Sequence, residues 1–255
     1  MTSPQTASPQ TAGTAPRTAL TRARVLESAV ALADREGLGA LTMRSLAKEL
    51  GIEAMSLYHH VAHKEDLLDG VVDLVAAEIQ DAVALLDPLP DGGASSAWKP
   101  AMRRQILTAR AVLLRHPWAP TVLETRTSFS LHVVRYLDSL LALMRRGGFS
   151  YDLVHHAMHA LGSRALGFSQ ELFEPDGAAA GSAAGGLPEA GAEDETVAML
   201  EQMAEQVPHL VEMLAEVAHD EPGATLGWCD DQTEFEFGLD LILDGLDRLA
   251  VRAGH

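Results

Sequence analysis

The segment SLYHHVAHKEDLL, Ser56 to Leu68, gathers side chains that donate hydrogen bonds, accept them or carry positive charge. Ser56 brings a hydroxyl, Tyr58 a phenol, His59, His60 and His63 imidazoles, and Lys64 an ammonium. Leu57 and Val61 stand four apart within it, a spacing that sets both on one side of a helix. With that pair turned inward, at about 100° per residue, Met55, His59 and Ala62 point nearly opposite, flanked by Ser56 and His60. A helix that only packed would carry Glu, Lys and Ala there. The face present suits a major groove, which admits such a helix with its N-terminal half at the base edges. Ser56 and His59 can exchange hydrogen bonds with bases, while Ala54 and Met55 can touch a thymine methyl. Thr42, Arg44, Tyr58, His60 and Lys64 fall where phosphates would run, and Lys64 opens the next helix, an anion-friendly position. His63 reads as a solvated loop residue and Lys48 as a solvated charge.

These groups need short helices held at a fixed angle. A first helix is expected over about 20–36, from Val25, Leu26, Ala29, Val30, Leu32 and Ala33, with Gly37 as its stop. A second opens at Thr42, whose hydroxyl can cap it, with Leu41 and Leu46 placed for a hydrophobic staple. Gly51 ends it and Ile52 plugs the turn. A third helix is expected from Glu53 or Ala54 to near Val61. Apolar positions at 46, 47, 50, 52, 57 and 61 around a Gly-containing turn make a helix-turn-helix pattern. A fourth starts at Lys64 or Glu65, with Glu65 and Asp66 favoured by its dipole, and runs to about Leu86. DPLPDGGASS (87–96) then breaks the chain and reads as a boundary. Further helices are expected at about 97–116, 118–124, 128–146, 150–173, 195–218 (interrupted at Pro208) and 231–252. Residues 1–17 read as a disordered arm, with Arg17 a linker residue, and the Gly/Ala-rich, acidic 174–195 as a mobile loop. The chain shows no strand pattern and no internal repeat.

Composition agrees with an all-α chain: alanine and leucine abound, and aromatics are 5% of 255 residues. The single cysteine, Cys229, excludes an internal disulfide. No apolar run reaches the ~18 residues of a membrane span, and the N-terminus lacks the pattern of a signal peptide, so a cytoplasmic protein is expected. Net charge is −17, which at first opposes a nucleic-acid partner. Residues 1–64, however, hold seven Lys/Arg against five Asp/Glu, a balance of +2, so the remainder carries −19. An acidic body would leave only the N-terminal module against a duplex.

LTMRSLAKELGI followed by SLYHHVAHKEDLL, dense over residues 19–72, strongly resembles the tetracycline-repressor (TetR) family of bacterial transcription regulators. FEFGLDLILDGLDRL (235–249) resembles the last helix of its tetracycline-repressor-like C-terminal class. The resemblance implies a helix-turn-helix DNA-binding domain over 18–72, with its motif at 42–61, and a regulatory and dimerisation domain over 73–255. It places DNA-contact roles on Arg44, residues 54–60 and Lys64. The prototype has a polar residue where Ala54 stands and a proline where Met55 stands, so operator sequence does not carry over.

In the C-terminal body the resemblance implies dimerisation and a ligand cavity. The last helix is apolar on more than one face: Phe235, Phe237, Leu239, Leu241, Ile242, Leu243, Leu246 and Leu249. Helix 150–173 carries Ala157, Ala160, Gly162, Ser163, Ala165 and Gly167, small enough for close contact. Together they would make a two-fold four-helix interface. Candidate ligand-lining residues are Trp118, His132, Tyr136, His155, Met158, His159 and Phe168, suited to a small apolar or amphipathic effector. His155 and His159 have metal-ligand spacing, but no glutamate, thiolate or carboxylate cluster adjoins them, so no metal is expected. Ser163 and Cys229 lack the context of a nucleophile, so no catalytic residue, enzyme activity or cofactor is expected. The expected function is a homodimeric regulator, most often a repressor, released from a palindromic double-stranded DNA operator by a ligand that alters the tilt of helix four. An activator or architectural DNA-binding protein without an effector is the alternative.

Overall fold

A computed structural model describes residues 20–87, 97–126, 130–167, 206–209, 212 and 231–253. The expected arm 1–17, the loop 174–195, Phe168, Cys229 and most of the helix expected at 195–218 lie outside the described residues. Those described are helical: α1 (Arg22–Glu36), α2 (Met43–Leu50), α3 (Ala54–Leu57), α4 (Lys64–Ala84), α5 (Trp98–Arg115), α6 (Ala119–Glu124), α7 (Leu131–Arg146), α8 (Tyr151–Gly167) and α9 (Asp231–Ala253). The chain separates into two compact units between Leu74 and Val75. That division falls inside α4, ahead of the break at 87–96.

The first unit is built from caps and short apolar stripes. Thr21 caps α1, its Oγ1 accepting from the Arg24 backbone N–H at 3.2 Å. Val25, Leu26, Ala29, Leu32 and Ala33 turn inward from that helix. Thr42 and Ser45 cap α2 reciprocally: the Ser45 N–H donates to Thr42 Oγ1 at 3.0 Å, and the Thr42 N–H donates to Ser45 Oγ at 2.9 Å. Leu41 before the cap and Leu46 beyond it are both fully buried, as a staple requires. At the other end Gly51 adopts φ 65, ψ 35, the Gly51 N–H donates to the Lys48 carbonyl at 3.1 Å and the Ile52 N–H to the Ala47 carbonyl at 3.0 Å. This Schellman arrangement turns the chain from α2 into α3. A Cβ at Gly51 would meet nothing within 4 Å, so only the left-handed backbone resists substitution. Gly51→Ala is therefore expected to destabilise the first unit by about 1 kcal/mol, read as a lowered denaturant midpoint with unchanged slope.

Gly70 has a different reason to be glycine. A Cβ there would lie 2.6 Å from Leu26 Cδ2, so α4 lies closely against α1 at this point. Leu67 and Val71 are fully buried on the same helix. The start of α4 is thereby set against the same small core that receives Leu57 of α3.

The second unit packs α5, α7, α8 and α9 around Met102, Met144, Phe149, Phe235, Leu239 and Leu243. The Trp98 and Phe149 rings meet edge-on at 4.6 Å. Along the side of this core, cations of α5 meet carboxylates of α9: Lys99 with Asp244, and Arg103 with Asp240 at 2.7 Å and Glu236 at 2.5 Å. Arg110 lies over the Phe235 ring at 4.1 Å. The part of α4 in this unit is held by side chains too. Glu78 accepts from Arg115 and pairs with His116 Nε2 at 3.0 Å, and Gln80 Nε2 donates to the His132 carbonyl at 3.0 Å. No described helix is long and apolar enough to cross a membrane.

Candidate nucleic-acid interface

The segment from Ala54 to His60 is shorter as a helix than its spacing predicts. Regular α-helix ends at Leu57, and Tyr58, His59 and His60 form a turn. The Ser56 N–H donates to the Glu53 carbonyl at 2.9 Å and the His60 N–H to the Leu57 carbonyl at 2.8 Å, the tighter i to i−3 pattern of a helix end. Glu53 gives α3 no side-chain cap. The anchors nevertheless stand as expected, with Leu57 and Val61 buried.

Opposite those anchors the side chains are open. Met55 is 71% exposed and Tyr58 46%, His59 is exposed, and Ala54, Ser56 and His60 are half-buried. Arg44 and Lys64 are exposed, as is Thr42, whose hydroxyl is taken up in the α2 cap. Arg44 and Lys64 form no ion pair among the described residues. The first unit thus exposes Met55 together with a phenol, an imidazole and two cations, with the Ser56 hydroxyl half-buried beside them. Such a surface can meet base edges at its centre and phosphates at its rim.

Arg22, His63 and Asp66 also bear on this surface. Arg22, the first residue of α1, donates from Nη1 to the His60 carbonyl at 2.7 Å and grips Asp66 with both terminal nitrogens, at 2.6 and 3.1 Å. Asp66 Oδ2 also accepts from the Ala62 N–H at 2.7 Å. His63 is exposed and outside the helices, as read from the sequence, and it also caps α4: its Nδ1 accepts from the Asp66 N–H at 3.1 Å. That geometry requires the tautomer with its proton on Nε2. The Arg22 hydrogen bonds, with the Ala62 N–H behind them, hold the Asp66 carboxyl below its ordinary range. The local signal in the sequence was an Asp at the third position of α4, three residues after a residue able to cap. Arg22 had no local signal.

The expected ligand residues are dispersed through the second unit. Trp118 is buried beside His116, ring centroids 6.1 Å apart. Tyr136 packs against the core with Met158, and burial pushes its phenol well above the usual range. His132 is half-buried at the start of α7. His155 and His159 do come together, rings 4.7 Å apart, but on the exposed face of α8, opposite Val154, Ala157 and Leu161. Among the described residues they therefore line no interior surface. Among the described residues no group of three or more His, Cys, Asp or Glu side chains is placed to hold a metal ion.

The first unit is a helix-turn-helix DNA-binding module. Residues 25–71 match the family model for bacterial regulatory proteins of the tetR family, and residues 89–250 match that for the tetracyclin repressor-like C-terminal domain. The chain belongs to the TetR family and is a DNA-binding transcription regulator. It is similar to the HTH-type transcriptional repressor DrrR1 of Streptomyces coeruleorubidus, 32% identical over 238 residues, which span 93% of this chain and 81% of that one. It is also similar to the class D tetracycline repressor protein of Escherichia coli, 32% identical over 149 residues, 58% of this chain and 64% of that one. ActR from Streptomyces coelicolor, solved in complex with actinorhodin, shares the fold: TM-score 0.63 over 91% of this chain and 99% of that one, at 24% identity.

Proposed function

We propose that this chain is a homodimeric repressor that reads the two halves of a palindromic operator and is released by a small apolar or amphipathic molecule bound in its second unit. The observation that carries the reading role is the exposed face of Met55, Tyr58 and His59, backed by buried Leu57 and Val61, with exposed Arg44 and Lys64 in the same unit that form no ion pair among the described residues. Dimerisation is supported by α9. Phe237, Leu241 and Leu249, recurring every four to eight residues, are 62%, 56% and 47% exposed, while Phe235, Leu239 and Leu243 fill the core behind them. A helix apolar on both sides has a second surface to cover. Ala160 and Ser163 on the open side of α8 would let a partner helix approach closely. Repression and a small-molecule effector are supported by the names of the relatives and by the match to the C-terminal family model.

Buried Trp118, with half-buried His132, Tyr136 and Met158, are the candidates for ligand contact. Helix α4 is the proposed lever. It contributes residues to both units, and Glu78 and Gln80 are its holds in the second. A ligand must bind the released form more tightly than the DNA-bound form, since equal affinity shifts nothing.

A mobility-shift titration tests the reading face, with a duplex selected from a random-sequence pool by the wild-type protein. Arg44→Ala and Tyr58→Ala are each expected to weaken binding and to flatten the dependence of log affinity on log salt by about 1. Unchanged affinity in both variants would remove the proposal.

A further inference from the structure

We propose that Arg22 and Asp66 form a latch that holds the DNA-reading turn in register, so that Arg22 sets operator affinity without touching DNA. The inference rests on the assignment of Ala54–His60 as the reader.

The geometry is specific to this task. Arg22 stands 38 positions before His60 in the chain, yet its Nη1 satisfies the carbonyl at the end of the reading turn. Helix ends leave such carbonyls without an intrahelical partner. The same guanidinium grips Asp66 through both terminal nitrogens. A two-point pair fixes orientation as well as distance, which a single ammonium contact cannot do. Asp66 then passes the restraint on, its carboxylate receiving the Ala62 N–H and its own N–H donating to His63. His60, Ala62, His63 and Asp66 are thus tied, directly or through Asp66, to the first residue of α1. A four-residue helix cannot hold its own position, because so short a helix is not stable alone. Leu57 and Val61 set its depth; Arg22 and Asp66 set where its far end points.

The charge of Arg22 is spent on Asp66. Its loss should therefore act unlike the loss of a phosphate contact, which releases fewer counterions and flattens the salt dependence. It should also act unlike general unfolding, which lowers all binding together.

The test uses the full chain, the selected duplex as specific probe and a random-sequence duplex as non-specific probe. Arg22→Ala is expected to weaken specific binding roughly tenfold, change non-specific binding less than about twofold and leave the salt slope unaltered. Asp66→Asn is expected to do the same, and the double variant to be no weaker than the weaker single, since both remove one interaction. Arg22→Lys, which keeps the charge and loses the fork, is expected to fall between wild type and Arg22→Ala. Thermal unfolding of each variant fixes the temperature at which all are folded, and Arg22→Lys and Asp66→Asn carry the test should Arg22→Ala fail to fold. Specific affinity unchanged on losing Arg22 overturns the latch. A salt slope flattened by about 1 overturns it too, because Arg22 would then be a phosphate contact. Specific and non-specific affinity falling in parallel likewise overturns it. Arg44→Ala and Tyr58→Ala are the controls for the reader itself: if they have no effect, the reader assignment fails, whereas an effect there with none at Arg22 rejects the latch alone.

Discussion

Leu57→Ala is expected to destabilise the first unit by about 2–5 kcal/mol and to abolish specific DNA binding. Leu57 is the buried residue of α3, with no measurable exposure. Truncating it removes the apolar contacts that seat the reading segment and leaves a cavity in the core of the first unit. A small helical unit has only a few kcal/mol of stability to lose, so the change consumes a large share of it. Met55→Ala, two residues away, is the informative contrast. Met55 projects outward, and its truncation is expected to alter stability by less than ~0.5 kcal/mol while still weakening operator binding. Urea unfolding followed by circular dichroism, beside the mobility shift, separates the two. A stable Leu57→Ala protein with full binding would show that α3 is not seated by this side chain.

The second large effect is expected on the outward face of α9. Phe237→Glu together with Leu241→Glu should convert the proposed dimer to a monomer in analytical ultracentrifugation. Both residues are exposed in the single chain, so the change should cost the monomer fold little. Two facing copies would instead bring four carboxylates into an apolar seam, where unpaired charge is costly. Operator affinity should fall by about 10²–10⁴-fold, because the second half-site contact ceases to be intramolecular. A doubly substituted protein that remained dimeric would place the interface elsewhere. Acid groups on α9 already serve its other side, where Glu236, Asp240 and Asp244 meet Arg103 and Lys99 of α5.

Much of the reading unit follows from local rules. A helix cap depends on a side chain and a backbone N–H three residues on, so Thr42 could be placed from the sequence. Gly51 could be placed as a stop because glycine tolerates the left-handed turn there. The four-residue spacing of Leu57 and Val61 put both on one side, and both are buried. The double apolar character of α9 was likewise visible as periodicity, and its inward and outward rows divide accordingly. These features are determined within one or two turns of chain, where spacing alone decides which side chains share a face.

What only the tertiary structure decided depends on residues far apart in the chain. Regular α3 stops at Leu57, not Val61, in a turn whose last carbonyl is taken by Arg22 from the start of α1. The compact units part within α4, between Leu74 and Val75, where helix periodicity runs through the division unbroken. His155 and His159 are neighbours by spacing, but only the packing of Val154, Ala157 and Leu161 decided that they face outward. Sequence spacing sets which groups lie together on an element. Long-range hydrogen bonds and burial set which way that element turns, and they leave no period in the sequence to be read.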